Sequence, residues 1–378
     1  MQKTDLSKLK IAIVCDWLTN QGGAEHVVWT MHEMFPSAPI YTSIYNKEKL
    51  PQFTDADVRT SFLQKRPFAK THHQWFLNAM PRAFEEFDLK EYDIVLSSAH
   101  SCAKGVITKP ETVHISYCHT PMRYAWDESH EYINKSPFPG FLKQWYIPHA
   151  IKKIRLWDRL AADRVEYFIA NSKYIQKRIK KYYERDSTVI YPPVATGCFS
   201  ISPDIGDYFL AVGRLIQYKR FDLIVETFNQ LGLPLKIVGD GPEYKKLKSI
   251  AKSNIEFVGF ADQEELKKLY AQAQALIFPQ REDFGIVPVE SMASGRPVIA
   301  FQEGGAKETV IDGITGIFFE EQTIESLSNA IQQFQHTTFV PEKIRQHALQ
   351  FDTARFKREM LFFIEHKYQE WQNILDTL

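Results

Sequence analysis

Cysteine is scarce in this chain. Its four cysteines, Cys15, Cys102, Cys118 and Cys198, show no Cys-x-x-Cys spacing. That excludes a disulfide-stapled scaffold and predicts four reduced thiols in a cytosolic protein. No cluster of histidines, cysteines and carboxylates presents itself as a metal site, so no metal is expected. The Asp-x-Asp at Asp55-Ala56-Asp57 ends no long apolar strand, precedes a predicted strand at Val58 and reads as a surface turn. Apolar runs of membrane length are missing, and residues 1–10 contain no apolar signal core, so the expectation is a soluble or peripheral protein. An excess of one charge is missing too. Lysine and arginine total 46, as do aspartate and glutamate, which argues against a nucleic-acid partner. There is no dinucleotide Gly-x-Gly-x-x-Gly at Gly239-Asp240-Gly241. Internal repeats and low-complexity tracts are absent.

What is present is an ordinary globular composition, 44% hydrophobic and 13% aromatic, over 378 residues. That length exceeds one typical core and predicts two domains. Short apolar runs alternate with helical patterns. Strands are predicted at 11–15, 92–97, 113–117 and 166–170, with Gly22-Gly23 and a helix over 24–34 after the first. A second set of strands is predicted at 208–212, 235–238, 255–258, 275–278 and 298–300, with helices at 221–231 and 263–274 among them. This alternation argues for two α/β domains with parallel sheets. The break is placed near Tyr191-Pro192-Pro193-Val194, where two prolines exclude a helix. The final residues, 353–378, carry a long amphipathic helical pattern.

The densest chemistry lies in residues 278–298. Glu282 and Glu290 are separated by seven residues, with Phe284-Gly285-Ile286-Val287-Pro288 between them. Gly285 suits a close backbone approach and Pro288 suits a first helical turn. A helix N-terminus here would aim free N–H groups at an anion. One carboxylate would stand before the helix and one on its first turns, so both could bind hydroxyls while the backbone between them holds a phosphate. Upstream, Gly213-Arg214-Leu215 ends a predicted strand, and Lys219 follows five residues after Arg214. Two cations at the C-terminal edge of a parallel strand are placed to meet a diphosphate.

These segments resemble the glycosyltransferases of family 4, the retaining, nucleotide-sugar-dependent enzymes whose signature is Glu-x7-Glu. The resemblance spans nearly the whole chain and is most specific over 208–316. It implies the GT-B fold: two doubly wound, Rossmann-like domains facing across a cleft, with the C-terminal helix crossing back to the first. The domains would be 1–193 with 356–378, binding the acceptor, and 194–355, binding the nucleotide sugar. Arg214 and Lys219 match the family's donor-diphosphate cations, although Arg220 stands where many members have glycine. Glu282 would bind donor-sugar hydroxyls and Glu290 the ribose. Gly213, Phe284, Gly285, Ile286 and Val287 would line the phosphates. Gly239, with Val258-Gly259-Phe260, would lie beside the base, although a tight strand-to-helix turn explains Gly239-Asp240-Gly241 equally well. Gly22 and Gly23 would let the sugar diphosphate approach the backbone. The segment from His119 to Asp127 resembles mannosyltransferases of bacterial polysaccharide assembly and implies that His119 contacts the donor sugar. Asp127 stands open between an acceptor contact and a structural role. Glu303-Gly304-Gly305-Ala306-Lys307-Glu308 matches the family's glycine loop and reads as scaffold for the donor pocket.

The implied reaction moves a hexose, GDP-mannose being the favoured donor and UDP-hexoses the runner-up. The acceptor would be a glycan or lipid-linked glycan, and no cofactor or metal is required. Two other classes stay open: a nucleotide-sugar epimerase or hydrolase of the same fold, and a non-catalytic nucleotide-sugar or lipid binder. Residues 62–84 hold Lys65, Arg66, Lys70 and Arg82 with Trp75, Phe76, Leu77 and Met80 and no acidic residue. Residues 138–164 similarly mix Phe138, Phe141, Trp145 and Tyr146 with Lys152, Lys153, Arg155 and Arg159. Both segments fit docking on an anionic lipid surface and, equally, amphipathic helices snorkelling over a core. The expected location is cytoplasmic, either free or attached peripherally to the membrane's inner face.

Overall fold

The computed structural model describes residues 6–129, 133, 140, 143 and 146–377. The chain divides into two compact units, one of residues 1–192 and 356–378, the other of residues 193–355.

The first unit carries a seven-stranded sheet in the order β3-β2-β1-β4-β5-β6-β7. Its strands are β1 Ile11–Cys15, β2 Ile40–Thr42, β3 Val58–Thr60, β4 Ile94–Ala99, β5 Val113–Cys118, β6 Tyr167–Ala170 and β7 Ser187–Val189. Every pairing is parallel. The central strands β1, β4 and β5 are buried along their whole length, as expected for a parallel sheet covered on both faces. Helices α1 Gly23–Met34, α2 Tyr146–Ala162 and α3 Lys173–Tyr183 belong to this unit.

The second unit has a six-stranded sheet in the order β10-β9-β8-β11-β12-β13, again wholly parallel. Its strands are β8 Phe209–Val212, β9 Leu235–Val238, β10 Ile255–Gly259, β11 Leu276–Phe278, β12 Val298–Phe301 and β13 Gly316–Phe319. Helices α4 Phe221–Leu231, α5 Gln263–Gln272 and α6 Ile286–Ala293 are among its crossovers, and α7 Pro341–Ala348 follows its last strand. The last helix, α8 Thr353–Leu375, returns to the first unit, where Phe356, Met360, Phe363 and Ile364 join the core built on β1, β4 and β5.

Both sheets start in the middle and wind outward in two directions. Chain order therefore reverses between β1 and β4 in one sheet and between β8 and β11 in the other. Loops leaving the C-terminal ends of those strand pairs diverge, and the crevice they open is where doubly wound sheets bind ligands.

Three short strands have no counterpart in the expected set: β2, β7 and β13. The strand expected at 92–97 runs instead over Ile94–Ala99. Tyr92 and Asp93 sit before it in a turn: the Tyr92 hydroxyl meets that of Tyr41 at 3.0 Å, and Asp93 accepts the Lys10 amide at 2.8 Å. Among the described residues no helix is long and apolar enough to cross a membrane.

Candidate functional site

In the second unit the loop after β8 supplies the cations. Lys219 ends a 3-10 turn, and its Nζ lies 3.0 Å from Glu282 Oε1, on the loop after β11. The switch point thus brings together a lysine and a glutamate 63 positions apart in sequence. Burial opposes the charge on Lys219, but the Glu282 carboxylate, together with Tyr218, outweighs it and holds the ammonium above its usual pKa. The Arg214 side chain is exposed, and no acidic side chain among the described residues pairs with it. Its charge acts on Lys219 in the opposite sense to Glu282. With two cations against one carboxylate, this cluster has charge left over for an anion.

The Glu282 loop is held by its neighbours. The Gly305 amide donates to the Glu282 carbonyl at 2.8 Å, and Gln322 Nε2 donates to the Pro279 carbonyl at 2.7 Å. Phe284 is buried edge-on against Phe351, 5.6 Å between ring centres. The chain then turns at Gly285, whose φ of +90° is a conformation that side-chain-bearing residues avoid. Gly285 is the N-cap of α6, and no side chain caps the helix. The first-turn amides of Ile286 and Val287 therefore lack intrahelical partners, and Pro288 has no amide to offer. At the far end of α6 the Gly295 amide bonds the Met292 carbonyl and the Arg296 amide bonds that of Ser291, the paired closure of a Schellman stop.

Glu290 lies on the second turn of α6 and is half-buried. Its Oε2 accepts the Tyr270 hydroxyl at 2.9 Å, from α5. Burial pushes the Glu290 carboxyl up to about 7, a rise that the Tyr270 hydrogen bond only partly counters.

The turn after β9 has its own demand for glycine. A β-carbon on Gly239 would lie 2.0 Å from the Gly213 carbonyl oxygen, and one on Gly241 would lie 2.4 Å from that of Leu215. Packing between neighbouring loops thus requires both residues. Gly239 also donates to the Gly259 carbonyl at 2.7 Å, linking the ends of β8, β9 and β10 around Val258. Arg220, in the place of a family glycine, keeps the left-handed backbone with φ of +55°. Its guanidinium is tied to Asp222 and to Gln322.

The first unit places its chemistry at the β1/β4 switch point, and much of it is absent from the sequence expectations. Asp16, directly after β1, is buried. One of its oxygens accepts the amides of His100 and Ser101 at 2.7 and 2.9 Å, and the other accepts Ala103 at 2.7 Å. The same carboxylate faces His100 Nδ1 at 3.2 Å. His119, at the end of β5, bonds Ser98 Oγ through Nε2 at 2.8 Å. Burial, aided by His100, depresses its pKa to about 3 and keeps the ring neutral. Gly22 is the N-cap of α1, with Gly23 its first residue. The Glu25 carboxylate folds back to this helix start, its Oε2 2.8 Å from where a Gly22 β-carbon would be. An anion approaching Gly22 and Gly23 would therefore meet a carboxylate. Asp127 pairs with the buried Arg178 at 2.7 Å, which gives it a structural partner. The segment containing it is pinned by Trp126, whose Nε1 donates to the buried Asp158 at 2.7 Å.

Asp16 and His100 are 84 positions apart, and no local motif joins them. The available signal was positional: each follows a fully buried strand, and those strands flank the switch point. The basic segment 62–84 divides by side chain. Met80 and Phe84 are buried, whereas Phe68 and Trp75 are 66% and 68% exposed. Lys65, Arg66 and Lys70 are exposed, and no acidic side chain among the described residues pairs with them. Phe138, Phe141 and Trp145 lie outside the described residues.

Two family models match the chain side by side: Glycosyltransferase Family 4 over residues 21–197 and Glycosyl transferases group 1 over residues 201–351. An uncharacterised glycosyltransferase of Methanocaldococcus jannaschii is 28% identical over 225 residues, 58% of this chain and 63% of its own. A glycogen synthase of Pseudomonas aeruginosa is 32% identical, over 36% of this chain and 28% of its own. A GDP-mannose-dependent alpha-(1-6)-phosphatidylinositol monomannoside mannosyltransferase of Mycolicibacterium smegmatis is 28% identical, over 42% of this chain and 50% of its own. The match thus spans less than two thirds of these relatives' lengths. Among solved structures, Anabaena HepE in complex with UDP superposes with a TM-score of 0.70 at 19% identity, over 95% of this chain and all of that one. The fold is GT-B.

Proposed function

The chain belongs to glycosyltransferase family 4, and from that premise we propose that it transfers a hexose from a nucleoside diphosphate sugar to a glycan hydroxyl with retention of configuration. The observation that supports this reading is the crevice between β8 and β11. Two cations and the open amides of α6 lie there, between Glu282 before the helix and Glu290 within it. Cations and amides fit the diphosphate. Glu282 fits sugar hydroxyls, and Glu290 fits the ribose hydroxyls.

In this reaction the bond from the sugar C1 to the diphosphate oxygen breaks. The acceptor oxygen forms its bond to C1 on the same face, and its proton passes to the departing diphosphate. The barrier falls because Arg214, Lys219 and the amides of Ile286 and Val287 stabilise charge growing on that leaving group. No protein nucleophile enters the scheme, and the lysine and arginine supply the positive charge without a metal. Mannose carried by GDP is the favoured donor, on the resemblance of the His119 to Asp127 segment and the activity named for the M. smegmatis relative. UDP-hexoses stand second, because HepE was solved with UDP. The acceptor is a glycan, in the fuller reading one linked to a lipid at the cytoplasmic face of a membrane.

A thermal-shift panel of GDP-, UDP- and ADP-sugars tests the donor, since a bound ligand stabilises by mass action. GDP-mannose is expected to give the largest shift, undiminished by EDTA. A larger shift with a UDP-hexose reverses the donor assignment, and no shift with any nucleotide sugar overturns the function.

A further inference from the structure

The β1/β4 crevice of the first unit contains a histidine whose setting is more elaborate than packing requires. His100 stands at the C-terminal end of β4 with its side chain 27% exposed. Its Nδ1 faces the wholly buried Asp16 carboxylate at 3.2 Å. Asp16 is fixed in turn by three backbone amides, so it cannot swing away. Trp17 packs edge-to-face on the His100 ring at 4.6 Å and is itself stacked on His73 at 4.5 Å. A carboxylate at Nδ1 places the ring proton there and leaves the Nε2 lone pair as an acceptor. Among the described residues no side chain donates to that nitrogen.

The charge around this nitrogen selects its ligand. Asp16 and Glu25 are both close to His100, and neutral His119 lies 6.2 Å away, ring to ring. A diphosphate would be repelled by two carboxylates, whereas a neutral polyol would find acceptors for its hydroxyls. The second unit has the opposite character, with cations and open amides. We propose that the β1/β4 crevice is a sugar subsite in which His100 Nε2, with its ring oriented by Asp16 and Trp17, accepts a hydrogen bond from a hydroxyl of the acceptor glycan. This rests on the transferase reading and extends it by assigning an acceptor contact to a named atom. His100 touches the sugar; Asp16 and Trp17 are positioning residues.

The test uses the full chain and soluble methyl glycosides of mannose, glucose and galactose as probes, read by saturation-transfer NMR, with nucleotide sugars titrated separately. Wild type should bind at least one glycoside. His100→Leu should weaken that binding about tenfold, the loss of one hydrogen bond at a partly buried site, while leaving nucleotide-sugar affinity unchanged. His100→Gln, which retains an acceptor atom, should recover most of the loss, as a purely structural role would not predict. Nitrogen-15 spectra should find the His100 proton on Nδ1. Equal glycoside binding by wild type and a folded His100→Leu overturns the proposal, as does the absence of glycoside binding by wild type or a proton on Nε2. Failure of every nucleotide sugar to bind would instead strike the transferase reading, and the two failures are read in separate titrations.

Discussion

At the scale of single residues, the Lys219–Glu282 pair and Arg214 carry the heaviest demand. Arg214→Ala or Lys219→Ala should each lower turnover by about 100-fold or more, the usual effect of deleting one partner of transition-state charge. Steady-state kinetics on folded variants checks this, and near-normal turnover in both would remove the leaving-group role. Glu290 makes a prediction about pH. Its carboxyl rises from 4.5 to about 7 on folding, so the folded state holds more protons than the unfolded state between those values. Stability contributed by the neutral carboxyl is complete at the acid end of that window and is lost as pH rises through about 7. Ribose hydroxyls favour the ionised form, so GDP affinity should move the other way and weaken as pH falls below about 7. Calorimetry across that range should show both slopes in wild type. Glu290→Gln should flatten both, and an unchanged pH profile in that variant would put the titration elsewhere.

At the scale of elements, one network ties α2 and α3 to the segment after β5. Buried Asp158 on α2 accepts Trp126 Nε1 and, at 2.8 Å, the Tyr183 hydroxyl from α3, and it pairs with buried Lys104. Asp158→Ala would strand a buried ammonium and leave two donors unmet. The expected cost is about 3–5 kcal/mol, measured by urea denaturation, since removing one member of a buried pair leaves an uncompensated charge. A loss below about 1 kcal/mol would mean that water or relaxation takes up the role. Elements also show what was legible in the sequence. Helix α4 and strand β9 were readable to the residue, because Gly232 in the left-handed conformation stops the helix and the strand, Leu235-Lys236-Ile237-Val238, ends at the Gly239-Asp240 turn. The strands β2, β7 and β13 were not readable: the three residues of β2 include Thr42, those of β7 include Ser187 and Thr188, and β13 opens on Gly316, so none stands out as an apolar run between turns. Strand β4 was misplaced by two residues because its end is written in serines. Ser98 looks like a loop residue, yet it is buried and bonded to His119, and Ala99 continues the strand beyond it. The second unit's crevice residues were readable because Glu282 to Glu290 is one continuous stretch. Asp16 and His100 were not, because their proximity depends on strand order, which periodicity does not report.

At the scale of the whole molecule, the exposed cations and aromatics of the first unit bear on where the reaction takes place. Lys65, Arg66 and Lys70 stand near exposed Phe68 and Trp75. Binding to anionic vesicles is expected, weakening with salt because exposed charges are screened beyond roughly 10 Å at 0.1 M. Changing the three cations together to glutamate should abolish sedimentation with anionic liposomes and leave donor binding intact. If wild type never sediments with such vesicles, a water-soluble glycan becomes the preferred acceptor.

The return of α8 has a consequence for how the chain is made. The second unit is continuous in sequence, whereas the first takes Phe356, Met360, Phe363 and Ile364 into the core around β1. A ribosome extends a chain at about 5–20 residues per second, and domains fold as their parts emerge. Residues 193–355 therefore have all their strands in hand while the earlier-made half still lacks one wall of its core. The unit synthesised first is the one that must wait, holding apolar surface open until the last helix arrives.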